Sequence, residues 1–348
     1  MTRDLTDARS TEPEAHRAPC APGAPDVLRD VGAITADPGR ARHYGHFYGL
    51  EPLPEGDRPL LVVHGNCQAE SLRQLLQDAP GAPWSSVRIP PVHELAADEV
   101  PLLHRLLERA EVVLTQPIAD DYHGLPVGVG QVQRTATRAR TVVWPVIRYS
   151  GLHPWQLVHQ HAEEGDPPLV PYHDARTVLR AVGGAPLRSA SQAAVAVSQW
   201  SLAELRRRER AAGAVPVSDL VLEAGAGAMR TINHPANPVL VALARRVEEV
   251  LGLPATAVDP GRRLLDAVHA PVEAEVLDSL GLDPSAARES WLIAGDLVPD
   301  EEVAATQLAW LRGRPHVLDA IVRRQRTQLA LVAELADDPA VPAGSASR

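Results

Sequence analysis

The chain has no lysine, so all 34 residues counted as Lys plus Arg are arginine. That absence excludes a P-loop with its phosphate-reaching lysine, and it excludes Schiff-base chemistry of the pyridoxal phosphate kind. Aromatics are scarce, with 6 Trp, 5 Tyr and 1 Phe among 348 residues, so the core must be built mainly from Leu, Val and Ala. There are only 2 cysteines, and with Cys20 in a Pro/Ala-rich leader a structural disulfide with Cys67 is not expected. No CxxC or HExxH spacing occurs, so no metal is expected. No apolar run approaches the roughly 18 residues of a membrane span, and the N-terminus lacks the apolar stretch of about 7–15 residues of a signal peptide. The expectation is a cytoplasmic protein without membrane insertion. The charge balance, 34 − 44 = −10, argues against nucleic acid as a partner.

Along the chain, residues 1–26 lack helical or strand period and read as a disordered leader. Residues 27–58 form a docking segment and linker, in which His43-Tyr44-Gly45-His46-Phe47-Tyr48 holds the only Phe and two Tyr. Regular patterning begins after it. Leu60-Leu61-Val62-Val63 suits a buried parallel strand, and Leu72, Leu75 and Leu76 recur at helical spacing within Ala69–Gln77. Val87-Arg88-Ile89 reads as a second strand, Leu102 to Leu107 as a helix, and Val112-Val113-Leu114 as a third strand. Val127–Arg140 is the next helix and Thr141–Trp144 the fourth strand. Strand and helix alternating in this way predict a doubly wound parallel α/β sheet. The C-terminal half reads as largely helical, over about 187–212, 236–252, 301–313 and 315–336, with a loose tail over 337–348.

In open α/β sheets ligands bind beyond the carboxyl ends of the strands. The residues following the first, third and fourth strands are His64-Gly65-Asn66-Cys67-Gln68, Thr115-Gln116-Pro117-Ile118-Ala119-Asp120-Asp121-Tyr122 and Arg148-Tyr149-Ser150-Gly151-Leu152-His153-Pro154. They bring Cys, Gln, Asp, Tyr and His to one edge. At a helix N-terminus, Cys67 would feel free N–H groups and the positive end of the helix dipole, both of which favour thiolate. Those N–H groups, with the amides of Asn66 and Gln68, could hold an oxyanion. Alternatively Cys67 is a small residue that allows close helix–strand packing.

Among the 14 histidines, His153 and His234 stand out because each precedes a proline next to a predicted element. Taken singly, each reads more commonly as a turn or cap residue. Asp174 is a candidate N-cap, and His159-Gln160-His161 reads as a solvated face. Gly128-Val129-Gly130 and Gly225-Ala226-Gly227 lack the third glycine of a dinucleotide fingerprint. The run Arg206-Arg207-Arg208-Glu209-Arg210 is a solvated helix face or a phosphate contact.

Gly65-Asn66-Cys67-Gln68, Gln116-Pro117-Ile118 with Tyr122, Ser150-Gly151-Leu152-His153-Pro154, Tyr172-His173-Asp174, Leu205 through Arg208-Glu209, Val217-Ser218-Asp219 and Thr231-Ile232-Asn233-His234-Pro235 occur in one order. That series resembles the WcbI family of capsular polysaccharide biosynthesis enzymes, to which acetyl transfer has been ascribed. The resemblance covers about residues 59–255, leaving a helical extension over 256–336. It implies a three-layer fold related to the SGNH hydrolases, acyl-coenzyme A as co-substrate and a sugar-containing acceptor. Cys67 would then be the nucleophile in place of serine, with His234, or else His153, as base and Asp219 or Asp174 to orient it. Alternatively a histidine activates the acceptor for direct attack. Gly65, Asn66, Gln68, Gln116 and Asn233 are the expected oxyanion and substrate contacts near the cysteine. Asp120, Tyr122, Ser150, His173 and Asp174 are expected to complete the substrate site. Arg148, Arg207 and Arg208 are the candidates for the coenzyme A phosphates. The rival readings are an SGNH-like esterase or thioesterase using water, and a non-catalytic ligand-binding or scaffold module.

Overall fold

β1 (Leu60–His64) is apolar on both faces because it lies inside a parallel sheet, where neighbouring elements cover both sides. The computed structural model describes residues 38–54, 58–161 and 163–334. The leader with Cys20, and the tail over 337–348, lie outside the described residues. The chain divides into two compact units after His43. The first unit contributes helix α1 (Pro38–His43), and the second begins with α2 (Gly45–Tyr48), which buries Phe47 and Tyr48.

Next in the second unit come β1, α3 (Gln68–Gln77), β2 (Ser85–Ser86), α4 (Val100–Arg109), β3 (Val112–Thr115), α5 (Val129–Thr135) and β4 (Arg140–Val143). The sheet order is β2-β1-β3-β4, all parallel, with Leu60 opposite Ser85, Val63 opposite Leu114 and Leu114 opposite Val142. The chain first adds β2 on one side of β1 and then crosses back to add β3 on the other. This reversal puts the topological switch point between β1 and β3, where a ligand crevice is expected. Leu61, Val63 and Leu114 pack with Leu72 and Leu76 of α3 in the main core, and Val62 and Val113 alternate to the opposite face.

Two expectations shift here. The second strand is Ser85–Ser86, not Val87–Ile89, because Pro90 and Pro91 have no N–H to donate and the chain turns so that Val92 N donates to Gly65 O. The helix expected over 127–140 is confined to 129–135, because Arg140 must already be in the sheet, its N–H bonded to Glu111 O.

Beyond β4, β5 (Gln156–Leu157) pairs antiparallel with β6 (His173–Asp174), and helices α6 (Ala175–Ala181), α7 (Ala190–Ala212) and α8 (Ser218–Glu223) follow. The hairpin β7 (Met229–Thr231) and β8 (His234–Pro235) leads into α9 (Asn237–Val250), which packs on α3. The last part is β9 (Val268–His269), α10 (Ala274–Ser279), β10 (Ser290–Ile293), β11 (Asp296–Pro299), α11 (Asp300–Arg312), α12 (Pro315–Arg324) and α13 (Arg326–Val332). The β9–β11 sheet is not anticipated by the sequence pattern; its hairpin turns on Ala294 (φ 50°) and Gly295 (φ 101°), a conformation suited to tight hairpins. The terminal helix expected over 315–336 is two helices, parted at Gln325, whose side chain donates to Val158 O at 2.5 Å.

Candidate active site

The turn from β1 into α3 is held by an amide network. Gln116, directly after β3, accepts from Asn66 N through Oε1 at 2.9 Å, and its Nε2 approaches Asn66 Oδ1 at 3.3 Å. A Cβ at Gly65 would come within 2.7 Å of the Gln116 carboxamide, so glycine is required for this close crossing. Asn66 Oδ1 also accepts from Gln68 N at 3.0 Å. Gln68, fully buried, donates through Nε2 to Ile147 O and Asn233 O, both at 2.8 Å, and accepts from Ile147 N at 3.0 Å. Three amides thus tie the ends of β1 and β3, the segment after β4 and the β7–β8 turn into one frame.

Gln68 and Gln116 are therefore not available as oxyanion donors as expected. Their N–H groups are committed to the frame, which positions Cys67. Among the side-chain amides around the thiol, Asn66 Nδ2 and Asn233 Nδ2 make no hydrogen bond among the described residues, whereas Asn66 Oδ1 and Asn233 Oδ1 accept.

Cys67 is the N-cap residue of α3, and its Sγ lies 4.0 Å from Nε2 of His234. The N–H groups of Cys67 and Gln68 lower the thiol pKa, as the helix-terminus argument requires. Burial acts more strongly, and with Glu94 nearby the thiol is pushed up, so the expected bias toward thiolate is reversed. His234 is pulled down to about 4 by burial and by the neighbouring charges of Arg230 and His269, which makes it a neutral imidazole near pH 7. Its Nδ1 has no hydrogen-bond partner among the described residues. Neither aspartate proposed to orient the base does so. Asp219 is paired with Arg246 at 2.7 Å, and Asp174 caps α6 and binds Arg176.

Tyr172, present in the motif series but given no role there, braces this pair. Its hydroxyl donates to Asn233 Oδ1 at 2.7 Å and lies 2.8 Å from Thr231 Oγ1. Its ring meets His234 edge-on, with centroids 6.4 Å apart, and stacks on Trp291 of β10 at 6.1 Å. Gln307 of α11 donates to Tyr172 O at 2.8 Å and reaches Val170 O at 3.4 Å. The C-terminal extension thus backs the histidine-bearing turn. The scarcity of aromatics in this chain, which makes each Tyr and Trp conspicuous, was the available signal.

Other expected residues fall elsewhere. His153 is 3% exposed, with Nδ1 3.0 Å from Pro271 O, and lines a cavity of about 30 Å³ with Asp174 and Arg176 rather than meeting the thiol. Buried His173 lies beside Trp310 with centroids 6.0 Å apart, because successive side chains of an extended segment alternate and Tyr172 takes the opposite face. Asp120 is exposed and paired with Arg134, and Tyr122 packs on His123. Each is spoken for within the loop and α5.

Ser150 and two of the arginines do converge. Arg148, Ser150, Glu204, Arg208 and Arg324 line a cavity of about 320 Å³. Burial, together with the like charges of Arg208 and Arg324, lowers the Arg148 pKa, and Arg148 has no carboxylate partner among the described residues. Glu204 is occupied by exposed Arg207 at 2.9 Å, so Arg207 neutralises the acid instead of facing this cavity. Clustered, under-neutralised guanidinium groups make an anion site. Arg324, from α12, was not foreseen; nothing in its sequence neighbourhood links it to Arg148.

A parallel α/β protein with a cysteine–histidine pair at the switch point of its sheet is the class that this geometry defines. The chain belongs to the WcbI family: the family described as polysaccharide biosynthesis enzyme WcbI matches residues 60–256, more than half of the chain. The family resemblance read from the motifs is thus shown, and with it membership of a family of enzymes. A solved WcbI structure, described as a novel polysaccharide biosynthesis enzyme and as native protein without a disulfide bond between coenzyme A and a cysteine, aligns with a TM-score of 0.66 at 18% identity. The alignment covers 79% of this chain and 99% of that one. Comparison with curated proteins gives no match. Among the described residues, no helix is long and apolar enough to cross a membrane, and no group of three or more His, Cys, Asp or Glu could hold a metal ion.

Proposed function

We propose that this chain is a cytoplasmic acyl-coenzyme A-dependent O-acyltransferase, in the simplest case an acetyltransferase, that modifies a sugar hydroxyl in polysaccharide or glycosylated-metabolite biosynthesis. The observation that carries the reading is the thiol of Cys67 at a helix N-terminus, 4.0 Å from the neutral imidazole of His234. The description of the solved relative, which mentions coenzyme A and a cysteine together, supports it. So does the cavity of Arg148, Arg208 and Arg324, whose clustered charge fits phosphates. We read residues 59–255 as the catalytic domain, related to the SGNH type with cysteine in place of serine, and 256–336 as an extension that braces it.

Acyl-coenzyme A supplies the acyl group already activated as a thioester. In the first half-reaction the Cys67 Sγ forms a bond to the acyl carbon while His234 Nε2 takes the thiol proton and then gives it to the departing thiolate. Exchange of one thioester for another is near neutral in free energy. In the second half-reaction His234 takes the proton of the acceptor hydroxyl as its oxygen bonds to the acyl carbon. The carbon–sulfur bond breaks, an ester leaves, and the proton returns to Sγ. We assign the oxyanion to Asn66 Nδ2, because the N–H of Gln68 is held by Asn66 Oδ1 and that of Ala69 by Asn66 O.

Intact-protein mass spectrometry after mixing with acetyl-coenzyme A, run beside calorimetry with free coenzyme A, tests this. An acetyl adduct absent from Cys67→Ala is the expected result. Binding without an adduct under rapid quench would overturn the covalent step. Loss of both binding and adduct would overturn the whole reading.

A further inference from the structure

Cys67 lines a cavity of about 320 Å³ that shares no lining residue with the arginine cavity assigned to the donor. Its walls come from α3, the segment after β2 and a loop that follows α9, and they carry Glu70, Gln74, Arg88, Glu94 and Arg262 around the thiol. Polar groups in such density suit a polyhydroxylated ligand, and Leu264 and Leu265 offer an apolar side.

The lining carries two acids, Glu70 and Glu94, and two arginines, Arg88 and Arg262, but they are not all matched to one another. Glu70 is paired with Arg73 at 2.7 Å and Arg88 lies 3.7 Å from it, so this acid is already matched. Arg262 donates to the neutral Gln74 Oε1 and has no carboxylate partner among the described residues. Its loop is held firmly. Asn237, 7% exposed, donates to Arg262 O at 2.8 Å and accepts from Leu264 N at 2.9 Å, while Arg230 Nε donates to Leu264 O at 2.9 Å. A fixed loop that holds an unneutralised guanidinium at the rim of the nucleophile's cavity is an anion contact. It lies just beyond the family-matched residues 60–256.

We propose that this cavity is the acceptor site and that it takes an anionic sugar, one carrying a phosphate or a carboxylate, with Arg262 as the residue that selects the charge. The proposal rests on the acyltransferase reading for its role but not for its test. Iodoacetamide alkylation of Cys67 in the full chain reports whether the cavity is filled. Glucose 1-phosphate or glucuronate at millimolar concentration slows alkylation, glucose does so far less, and Arg262→Ala weakens the protection about tenfold, the effect of losing one charge-assisted contact. Which of the two anions protects better identifies the source of the charge. Calorimetric affinity for free coenzyme A is unchanged in Arg262→Ala. Equal protection by glucose, protection by none of the three, or protection that Arg262→Ala leaves intact overturns the proposal. So does a loss of coenzyme A affinity in Arg262→Ala, which would make this the donor's cavity. Failure of the unaltered protein to bind coenzyme A, with sugar protection retained, would instead sink the acyltransferase reading and leave the anionic-sugar site standing.

Discussion

Acidification should unfold this protein through its histidines well before its carboxylates titrate. His64, His153 and His173 are 0%, 3% and 2% exposed, and burial pulls each of them, and His234, down to about 4. In the unfolded chain each takes a proton near its ordinary value of about 6.5. The folded pKa is the lower one, so the unfolded state binds more protons between the two values. The stabilisation is complete above about pH 6.5 and is lost as pH falls toward 4. Each shift of about 2.5 units corresponds to roughly 3 kcal/mol, so the four together exceed about 10 kcal/mol at pH 4, comparable to a whole domain's stability. Within the window the slope is about 5 kcal/mol per pH unit. Lowered carboxylates such as Asp219 act only below this window, and Glu273, raised by burial, works in the opposite sense as a single group. Urea denaturation followed by tryptophan fluorescence, repeated from about pH 7.5 down to about 4.5, measures the slope. His173→Leu should remove about a quarter of it. Stability that is flat across the window, or a slope that His173→Leu leaves unchanged, would refute the reasoning.

Two further outcomes follow from the frame around the thiol. Gly65→Ala places a Cβ within 2.7 Å of the Gln116 carboxamide, so Gln116 must leave Asn66 N. We expect a loss of about 1–3 kcal/mol in urea denaturation and slower alkylation of Cys67. Gln307→Leu removes the donor to Tyr172 O in a side chain 1% exposed, which should cost about 1–3 kcal/mol. It should also lower acyl transfer while leaving coenzyme A affinity unchanged by calorimetry.

The sheet was largely readable in the sequence because its strands are apolar on both faces and its helices carry leucines at a helical period. Leu60–Val63, Val112–Leu114 and Leu102–Leu107 each fall within their observed elements. The second strand was misplaced because its two paired residues are serines, which carry no apolar signal. Strand-end topology located Cys67 and Gln116 together, and the motif series added His234. Position along the chain says nothing about which polar groups satisfy one another, however. The same Gln68 that looks like an oxyanion donor in sequence is a buried bridge between Ile147 and Asn233 in the fold. Arg148, Arg208 and Arg324 meet only through tertiary packing, as does Tyr172 with Trp291.

The electrostatics of the cysteine–histidine pair bear on how it can work. A pre-formed thiolate–imidazolium pair needs the thiol pKa below that of the imidazole. Here burial raises Cys67 and lowers His234 to about 4, so the resting proton belongs to sulfur. A neutral thiol is a poor nucleophile, so proton transfer to Nε2 must accompany formation of the carbon–sulfur bond. Nothing anionic among the described residues supports Nδ1 of His234, which would stabilise an imidazolium if it did. Charge that develops on the histidine in the transition state is therefore best met by groups that arrive with the substrates. In the free enzyme, alkylation of Cys67 should thus be slow at neutral pH and rise only as the thiol itself ionises, above its ordinary range. A plateau of thiolate reactivity extending below neutral pH would show that the ion pair is already formed.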